Sequence, residues 1–176
     1  VPLDELSTED LQYLTDEGVP PLAADRYNSG SAQLDAGKYD EAIALFNAAL
    51  ELRPKYPEAL TNRGIAYDVQ DKYEKAIADY AAALVIDPKF ATAYNNRAIA
   101  HHNHGHPDLA LADYSEAIKL SPTDADALNG RGVIYSELGD TEKALADYSA
   151  AIKLDADHGQ AHGNRGFVYY LQRDYP

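Results

Sequence analysis

The chain has 176 residues, of which 45% are hydrophobic, enough for one compact domain or one short repeat array. Its formal net charge of −14 argues against nucleic acid or an anionic membrane surface as the main partner, because both bind clustered lysine and arginine. The absence of cysteine excludes disulfides, thiolate metal sites and thiol catalysis.

The sequence predicts no membrane insertion, because no apolar run approaches the roughly 18 residues that a transmembrane helix needs. The chain begins at Val1 and contains no methionine, which indicates a processed product or an excised piece. Removal of a signal peptide is one explanation, and it would place the protein in the periplasm or outside the cell. A cytoplasmic location is the alternative.

Residues 1–22 form an acidic N-terminal segment. Up to Asp25 the chain carries seven acidic residues and no basic one. Ser7 is a candidate N-cap with Asp10 three residues later, and Leu11 and Leu14 are spaced to pack on the residues that follow. We expect a short capping helix here. The alternative is an acidic arm that competes for the protein's own binding surface.

From residue 23 onward the sequence repeats with a period of 34 residues. Four columns of small, aromatic and proline residues keep this register. They are Gly30, Gly64, Ala98, Gly132 and Gly166; Ala42, Ala76, Ala110 and Ala144; Phe46, Tyr80, Tyr114 and Tyr148; and Pro54, Pro88 and Pro122, which Ala156 follows. A fifth column of alanines, at 49, 83, 117 and 151, has the same spacing.

Each copy predicts two helices, as residues 57–90 show most clearly. The first helix has apolar residues near helical spacing, and the second has them at i, i+4 and i+7. The polar stretch "QDKY" separates the two helices, and Asp87-Pro88 ends the second because a residue before proline avoids the α region. Neither helix buries its apolar face alone, so we expect neighbouring copies to stabilise each other.

These columns resemble those of the tetratricopeptide repeat family. The resemblance covers four complete copies, at 23–56, 57–90, 91–124 and 125–158, and a partial fifth copy at 159–176. It implies an all-α fold, a right-handed superhelical solenoid of stacked antiparallel helix pairs. It also implies that the first helix of each pair lines the concave face of the superhelix.

The resemblance places two groups of residues in a concave groove. They are the asparagines Asn28, Asn62, Asn96, Asn129 and Asn164, and the apolar residues Ile65, Ile99 and Val133. An asparagine amide both donates and accepts hydrogen bonds, which suits the backbone of an extended peptide. We expect these eight residues to bind peptide. The alternatives are a solvated face, amide bonds to the neighbouring repeat, and apolar packing against the next repeat.

The charges predicted around this groove are mainly acidic, which favours a neutral or basic protein or peptide as partner. The predicted rim contains Asp35, Glu58, Asp68, Asp126 and Glu137. The chaperone-binding branch of the family binds a peptide carboxylate with lysines and arginines. The corresponding positions here are Tyr27, Ser31, Thr61, Thr92 and Asn96, so we do not expect that type of ligand.

A further pair of columns predicts a structural ion pair within each copy. Its bases are Arg63, Arg97, Arg131 and Arg165, and its acids are Asp79, Asp113 and Asp147. The first copy lacks both partners, having Ser29 and Leu45 instead. Charges that appear and disappear together indicate contact between the two helices of a copy.

The third copy carries four histidines within six residues, His101, His102, His104 and His106. His101 occupies a column that holds tyrosine in other copies and is predicted to pack between helices. His102 should turn about 100° away, toward the groove. The four side chains are expected to point in different directions, although two from the turn could still meet. We therefore predict no specific metal site.

We identify no catalytic constellation and no cofactor motif, and so predict a non-enzymatic protein–protein interaction scaffold. One alternative is a targeting or regulatory module of a larger enzyme. Another is a structural protein that self-associates through its C-terminal end, where the fifth copy lacks a second helix. Phe167, Tyr169, Tyr170 and Leu171 are predicted to be poorly covered there.

Overall fold

The computed structural model describes residues 21–173, which contain nine α-helices and no strand. The helices are α1 Pro21–Asp35, α2 Tyr39–Leu52, α3 Pro57–Asp68, α4 Tyr73–Ile86, α5 Ala91–Asn103, α6 Pro107–Leu120, α7 Ala125–Glu137, α8 Thr141–Leu154 and α9 Gly159–Arg173. One compact unit ends at Pro88 and contains α1–α4; a second begins at Lys89 and contains α5–α9.

Each unit is built from helix pairs that are consecutive in the chain. In the first unit α1 packs on α2, α2 on α3 and α3 on α4. The second unit repeats this order from α5 to α9. The chain is therefore an all-α helical-repeat solenoid, which confirms the predicted fold class. The acidic N-terminal segment with its predicted capping helix, residues 1–22, lies outside the described part of the chain except for its last two residues, which begin α1.

The turn inside each copy requires one residue with a positive φ. Gly37, Gly105 and Gly139 have φ values of 72°, 82° and 80°, in the left-handed region that glycine adopts without steric cost. The second copy has Asp71 at the equivalent position, with φ of 58°. Its carboxylate accepts a hydrogen bond of 2.6 Å from the Tyr73 hydroxyl. Successive residues of this set are 34 apart in the sequence, so they form a further column of the repeat that was not predicted.

In three copies a glycine of the first helix lies against an aromatic ring of the second helix. The pairs are Gly30 with Phe46, Gly64 with Tyr80, and Gly132 with Tyr148. A Cβ atom at any of the three glycines would come within 2.6–2.7 Å of a ring carbon, closer than real Cβ contacts. The rings of Phe46 and Tyr80 are fully buried. Glycine thus lets the two helices approach closely enough to bury the ring.

The third copy solves the same packing problem differently. Ala98 has the Cβ atom that the glycines lack, and it packs in one core cluster with Tyr114. The ring also lies close to the next first helix, where a Cβ atom at Gly130 would be 2.5 Å from Cζ of Tyr114. Gly130 takes the place of an asparagine, and Oδ1 of Asn95 is buried without a hydrogen-bond partner. Ala98, which is one methyl group larger than glycine, is therefore accompanied by differences from the other copies at Asn95 on α5 and Gly130 on α7.

The predicted ion pairs within copies are present. In each, Nε and Nη2 of the arginine donate to the two carboxylate oxygens of the aspartate at 2.6–2.8 Å. The pairs are Arg63–Asp79, Arg97–Asp113 and Arg131–Asp147. The three aspartates are buried. The hydrogen bond to Asp79 raises the pKa of Arg63, and burial opposes it.

Two of these arginines also link a copy to the one before it. Nη1 of Arg63 donates to Oδ1 of Asn47 at 2.6 Å. Nη1 of Arg131 donates to Oγ of Ser115 at 3.3 Å. In each of these bonds the acceptor lies 16 residues before the arginine in the sequence, whereas the aspartate of the ion pair lies 16 residues after it. Sequence columns alone did not predict this second contact.

We predict that Ala98 and Gly130 are energetically coupled. Gly130→Asn should destabilise the chain by about 1–3 kcal/mol, because its side chain overpacks against the Tyr114 ring. In the Ala98→Gly background this cost should fall, since the ring gains space on its own first helix. Chemical unfolding of the four variants followed by circular dichroism measures the coupling. Strictly additive costs would show that the two positions are independent.

The ion pair of the third copy should also show coupling. Arg97→Ala and Asp113→Ala should each cost about 1.5–3 kcal/mol, because each removes charge-assisted hydrogen bonds and leaves its partner unpaired. The double variant should cost less than their sum. The exposed pair Lys119–Glu116 in the same unit is the matched control, with little coupling expected. Equal coupling in both pairs would contradict a special role for the buried one.

Candidate functional site

Polar side chains connect neighbouring first helices in the second unit. Between α9 and α7, Nδ2 of Asn164 donates to Oδ1 of Asn129 at 3.0 Å. Between α5 and α7, Nε2 of His102 lies 2.7 Å from Oε2 of Glu137. The first of these bonds joins two of the predicted peptide-binding asparagines and fixes the orientation of the Asn164 amide.

A related contact occurs in the first unit. Nδ2 of Asn62 on α3 donates to the Tyr27 hydroxyl at 3.2 Å and to Oγ of Ser31 at 3.1 Å, both on α1. Both amide hydrogens of Asn62 are thereby used. A peptide would have to bind this residue through its amide oxygen.

The contacts between first helices follow a spacing of 35 residues, one more than the repeat period. This spacing holds for Tyr27 with Asn62, His102 with Glu137, and Asn129 with Asn164. It explains why Asn129 lies one residue before the asparagine column. At that position it accepts the Asn164 amide as Tyr27 accepts the Asn62 amide. A search of the sequence for polar pairs 35 apart would have found these contacts.

The predicted site residues differ in accessibility. Asn28 is exposed, whereas Asn129 is only 7% exposed. The other predicted residues, Asn62, Asn96, Asn164, Ile65, Ile99 and Val133, are half-buried. Ile99 packs against the core around Tyr114, and Val133 against the core around Tyr148. The apolar residues therefore belong partly to the core and partly to the surface.

Two predicted residues share a small pocket in the second unit. Val133 and Asn164 line it together with Ser136, Glu137, Tyr148 and Phe167, and its volume is about 150 Å³. The pocket combines an aromatic floor with an amide and a carboxylate. Its size suits one side chain of a ligand.

Three of the four histidines come together near the turn, whereas His102 contacts Glu137. His101 lies between helices as predicted, with Nε2 3.8 Å from Oδ2 of Asp113 and Nδ1 buried without a hydrogen-bond partner. The ring of His106 meets that of His104 edge to face at the turn, 5.0 Å between centroids, and that of His101 at 6.3 Å. The sequence left room for a contact between two histidines of the turn, whereas the contact of His101 was not predicted. Within residues 21–173, no three or more His, Asp or Glu side chains are grouped to hold a metal ion.

The predicted acidic rim contains residues that already have partners. Glu137 bonds His102, and Oδ1 of Asp126 lies 3.2 Å from Nε2 of His158. Asp35 and Glu58 are exposed, and Asp68 is half-buried. Among the described helices, none has the length and apolar character needed to cross a membrane.

Comparison with known families identifies the repeat. Profiles described as tetratricopeptide repeat match residues 27–91, 91–124 and 125–158. The chain belongs to the tetratricopeptide repeat family. A comparison with curated protein sequences gives no match.

Several solved tetratricopeptide structures resemble the chain. MamA 41-end from Desulfovibrio magneticus RS-1 is 23% identical, with a TM-score of 0.77 over 88% of this chain and 87% of that one. The thermophilic TPR protein TTC0263 from Thermus thermophilus is 22% identical, with a TM-score of 0.73 over 85% and 82%. The first TPR of Spaghetti (RPAP3), bound to the HSP90 peptide SRMEEVD, is 28% identical, with a TM-score of 0.65 over 67% and 94%.

The family membership establishes a coarse function. The tetratricopeptide fold is in general a module for protein interaction, and the chain is a protein–protein interaction scaffold.

His101 predicts a pH dependence of stability. Burial lowers its pKa below the ordinary value, and Arg97, His104 and His106 act in the same direction while Asp113 opposes them. As the pH falls below about 6.5, the unfolded chain therefore binds a proton before the folded chain does, and stability decreases. His101→Tyr, with the residue found at position 67, should lose less stability between about pH 7 and pH 5.5. Thermal unfolding measures this.

The matched control is His162→Tyr, because His162 is exposed on α9. That substitution should leave the acid sensitivity as in the parent chain. An unchanged pH dependence in His101→Tyr would show that other groups cause the acid sensitivity.

Proposed function

We propose that the first-helix face of the second unit binds an extended peptide segment of a partner protein. The observation that carries the proposal is the pocket between α7 and α9, where Val133, Asn164 and Phe167 lie side by side. Along an extended peptide, side chains alternate with the polar groups of the backbone. A pocket for one side chain next to an amide therefore suits such a ligand.

The asparagines supply the backbone recognition in this proposal. An extended peptide has unpaired N–H and C=O groups, and an amide pairs with both. Asn164 uses one N–H on Asn129 and offers its second N–H and its oxygen to the ligand. Asn129 is buried and positions Asn164. In the first unit Asn28 would offer its amide and Asn62 its amide oxygen only, because the Asn62 N–H groups bond Tyr27 and Ser31. Asn96 would act in the second unit.

The apolar residues supply side-chain recognition. Ile65, Ile99 and Val133 are half-buried, so each keeps some apolar surface for a ligand while contributing to the core. Burial of this remaining surface contributes roughly 25 cal/mol per Å². The peptide would therefore carry apolar side chains at alternate positions.

The charges favour a neutral or basic ligand. Glu137 lines the pocket, and the chain has a formal net charge of −14. The HSP90 peptide bound by RPAP3, SRMEEVD, contains three acidic residues. A ligand of that type would require basic groups, and Tyr27, Ser31, Thr61, Thr92 and Asn96 supply none. We therefore propose a different class of peptide for this chain.

Self-association through the C-terminal end is the second candidate. Phe167, Tyr169, Tyr170 and Leu171 are 59%, 51%, 62% and 41% exposed on α9. Sedimentation velocity over a range of concentrations tests this candidate. A monomer at high concentration would count against it.

Selection from a random peptide library tests the main proposal. Selected peptides should be rich in apolar and basic residues and poor in Asp and Glu. Asn164→Ala combined with Val133→Asp should weaken a selected peptide by about one to two orders of magnitude, because two or three interactions of roughly 1 kcal/mol are lost. Fluorescence anisotropy measures the affinity.

The matched control is Leu109→Asp, which places the same charge on the second helix α6, where Leu109 is 51% exposed. It should leave the affinity unchanged. If instead Leu109→Asp abolishes binding while the Asn164 and Val133 variant retains it, the ligand binds the second-helix face. Circular dichroism confirms that each variant is folded.

A further inference from the structure

The pocket between α7 and α9 has a carboxylate that a third helix holds in place. Nε2 of His102 on α5 lies 2.7 Å from Oε2 of Glu137, which also lines the pocket. Oε1 of Glu137 makes no hydrogen bond within residues 21–173, and 54% of the side-chain surface stays exposed. The contact therefore orients the carboxylate and leaves one of its oxygen atoms accessible to a ligand.

The other groups that line the pocket are apolar or neutral. Val133 and the Phe167 ring contribute apolar surface. Asn164 contributes an amide that already uses one N–H within the protein and keeps its oxygen as an acceptor. Ser136 hydrogen-bonds Tyr148. None of the six described residues that line the pocket is basic, so its only formal charge is negative.

A side chain that complements this lining is apolar along its stem and carries a cationic donor at its tip. Arginine meets both conditions, because its guanidinium donates N–H groups in several directions and also stacks on an aromatic ring. A carboxylate and an amide oxygen can accept from different N–H groups of the same guanidinium. Lysine has the same charge but no planar face with which to stack.

We propose that this pocket selects an arginine side chain of the bound peptide. The guanidinium donates to Oε1 of Glu137 and lies on the Phe167 ring, while the arginine stem contacts Val133. The inference rests on the proposed binding of an extended peptide by the first-helix face. It adds the residue type that the pocket takes and the acidic residue that selects it.

Peptides selected from the random library with the intact chain serve as probes. Their arginines are replaced one at a time by citrulline, which has nearly the same shape as arginine but no charge. At one position the replacement should weaken binding about five- to tenfold, because it removes a half-exposed ion pair and the cation over the ring. Replacement of the same arginine by lysine should cost less, since the charge remains. Fluorescence anisotropy measures each affinity.

Variants of the protein identify the residue that recognises the charge. Glu137→Gln should weaken the arginine peptide by about the same factor and should bind the arginine and citrulline peptides equally. Glu142→Gln is the matched control, because it removes the same charge from an exposed position of the second helix α8. It should leave the preference for arginine over citrulline unchanged. Phe167→Leu keeps an apolar wall without the ring and should reduce this preference.

The outcomes separate this inference from the proposed function. If selection yields no binding peptide, both are wrong. If the selected peptides bind the first-helix face but contain no arginine, only the arginine pocket is wrong. The same holds if citrulline costs as much in Glu137→Gln as in the parent chain, because another group then recognises the charge. Lysine that binds as well as arginine would show that the pocket recognises charge alone, and the assignment to arginine would fail.

Discussion

The contact between an aromatic ring and a residue without a side chain sets the distance between the two helices of a repeat. Tyr80 and Tyr148 are buried because Gly64 and Gly132 let their rings touch the first helix. At that distance Arg63 also donates two hydrogen bonds to Asp79, which lies one residue before the ring in the sequence. In the third copy the ion pair Arg97–Asp113 forms with Ala98 in place of the glycine, so the pairing of the charges tolerates one added methyl group.

The third copy shows what happens when this contact changes. Ala98 packs with the Tyr114 ring, and the ring also lies against Gly130 of the next first helix. Position 130 lacks the asparagine of the other copies, and the amide oxygen of Asn95 is buried without a hydrogen-bond partner. The third copy therefore differs from the others both at the ring and on the first-helix face.

The sequence predicted contacts within a copy far better than contacts between copies. The helix pairs and the ion pair Arg97–Asp113 follow from columns that keep a period of 34, because equivalent residues occupy equivalent places. Comparing equivalent positions does not reveal which residues of adjacent copies touch. Asn129 with Asn164 has a spacing of 35, and Arg131 with Ser115 joins two different columns. Both contacts required the structure.

The candidate site was predicted only in part for a related reason. Helical periodicity places Asn164 and Val133 on the first-helix face, but burial on that face depends on neighbouring helices. Asn129 is consequently a buried partner of Asn164, and Val133 contributes to the core as well as to the pocket. Substitutions at these positions affect stability and binding together, so controls on a different face are essential.

Methyl NMR on the chain with a selected peptide tests the central claim, that the first-helix face binds the ligand, most directly. We expect the methyl signals of Val133 and Ile99 to shift on addition of the peptide. The signals of Leu109 and Val85, which are exposed on second helices, should stay in place. Shifts confined to Leu109 and Val85, with those of Val133 and Ile99 unchanged, would contradict it.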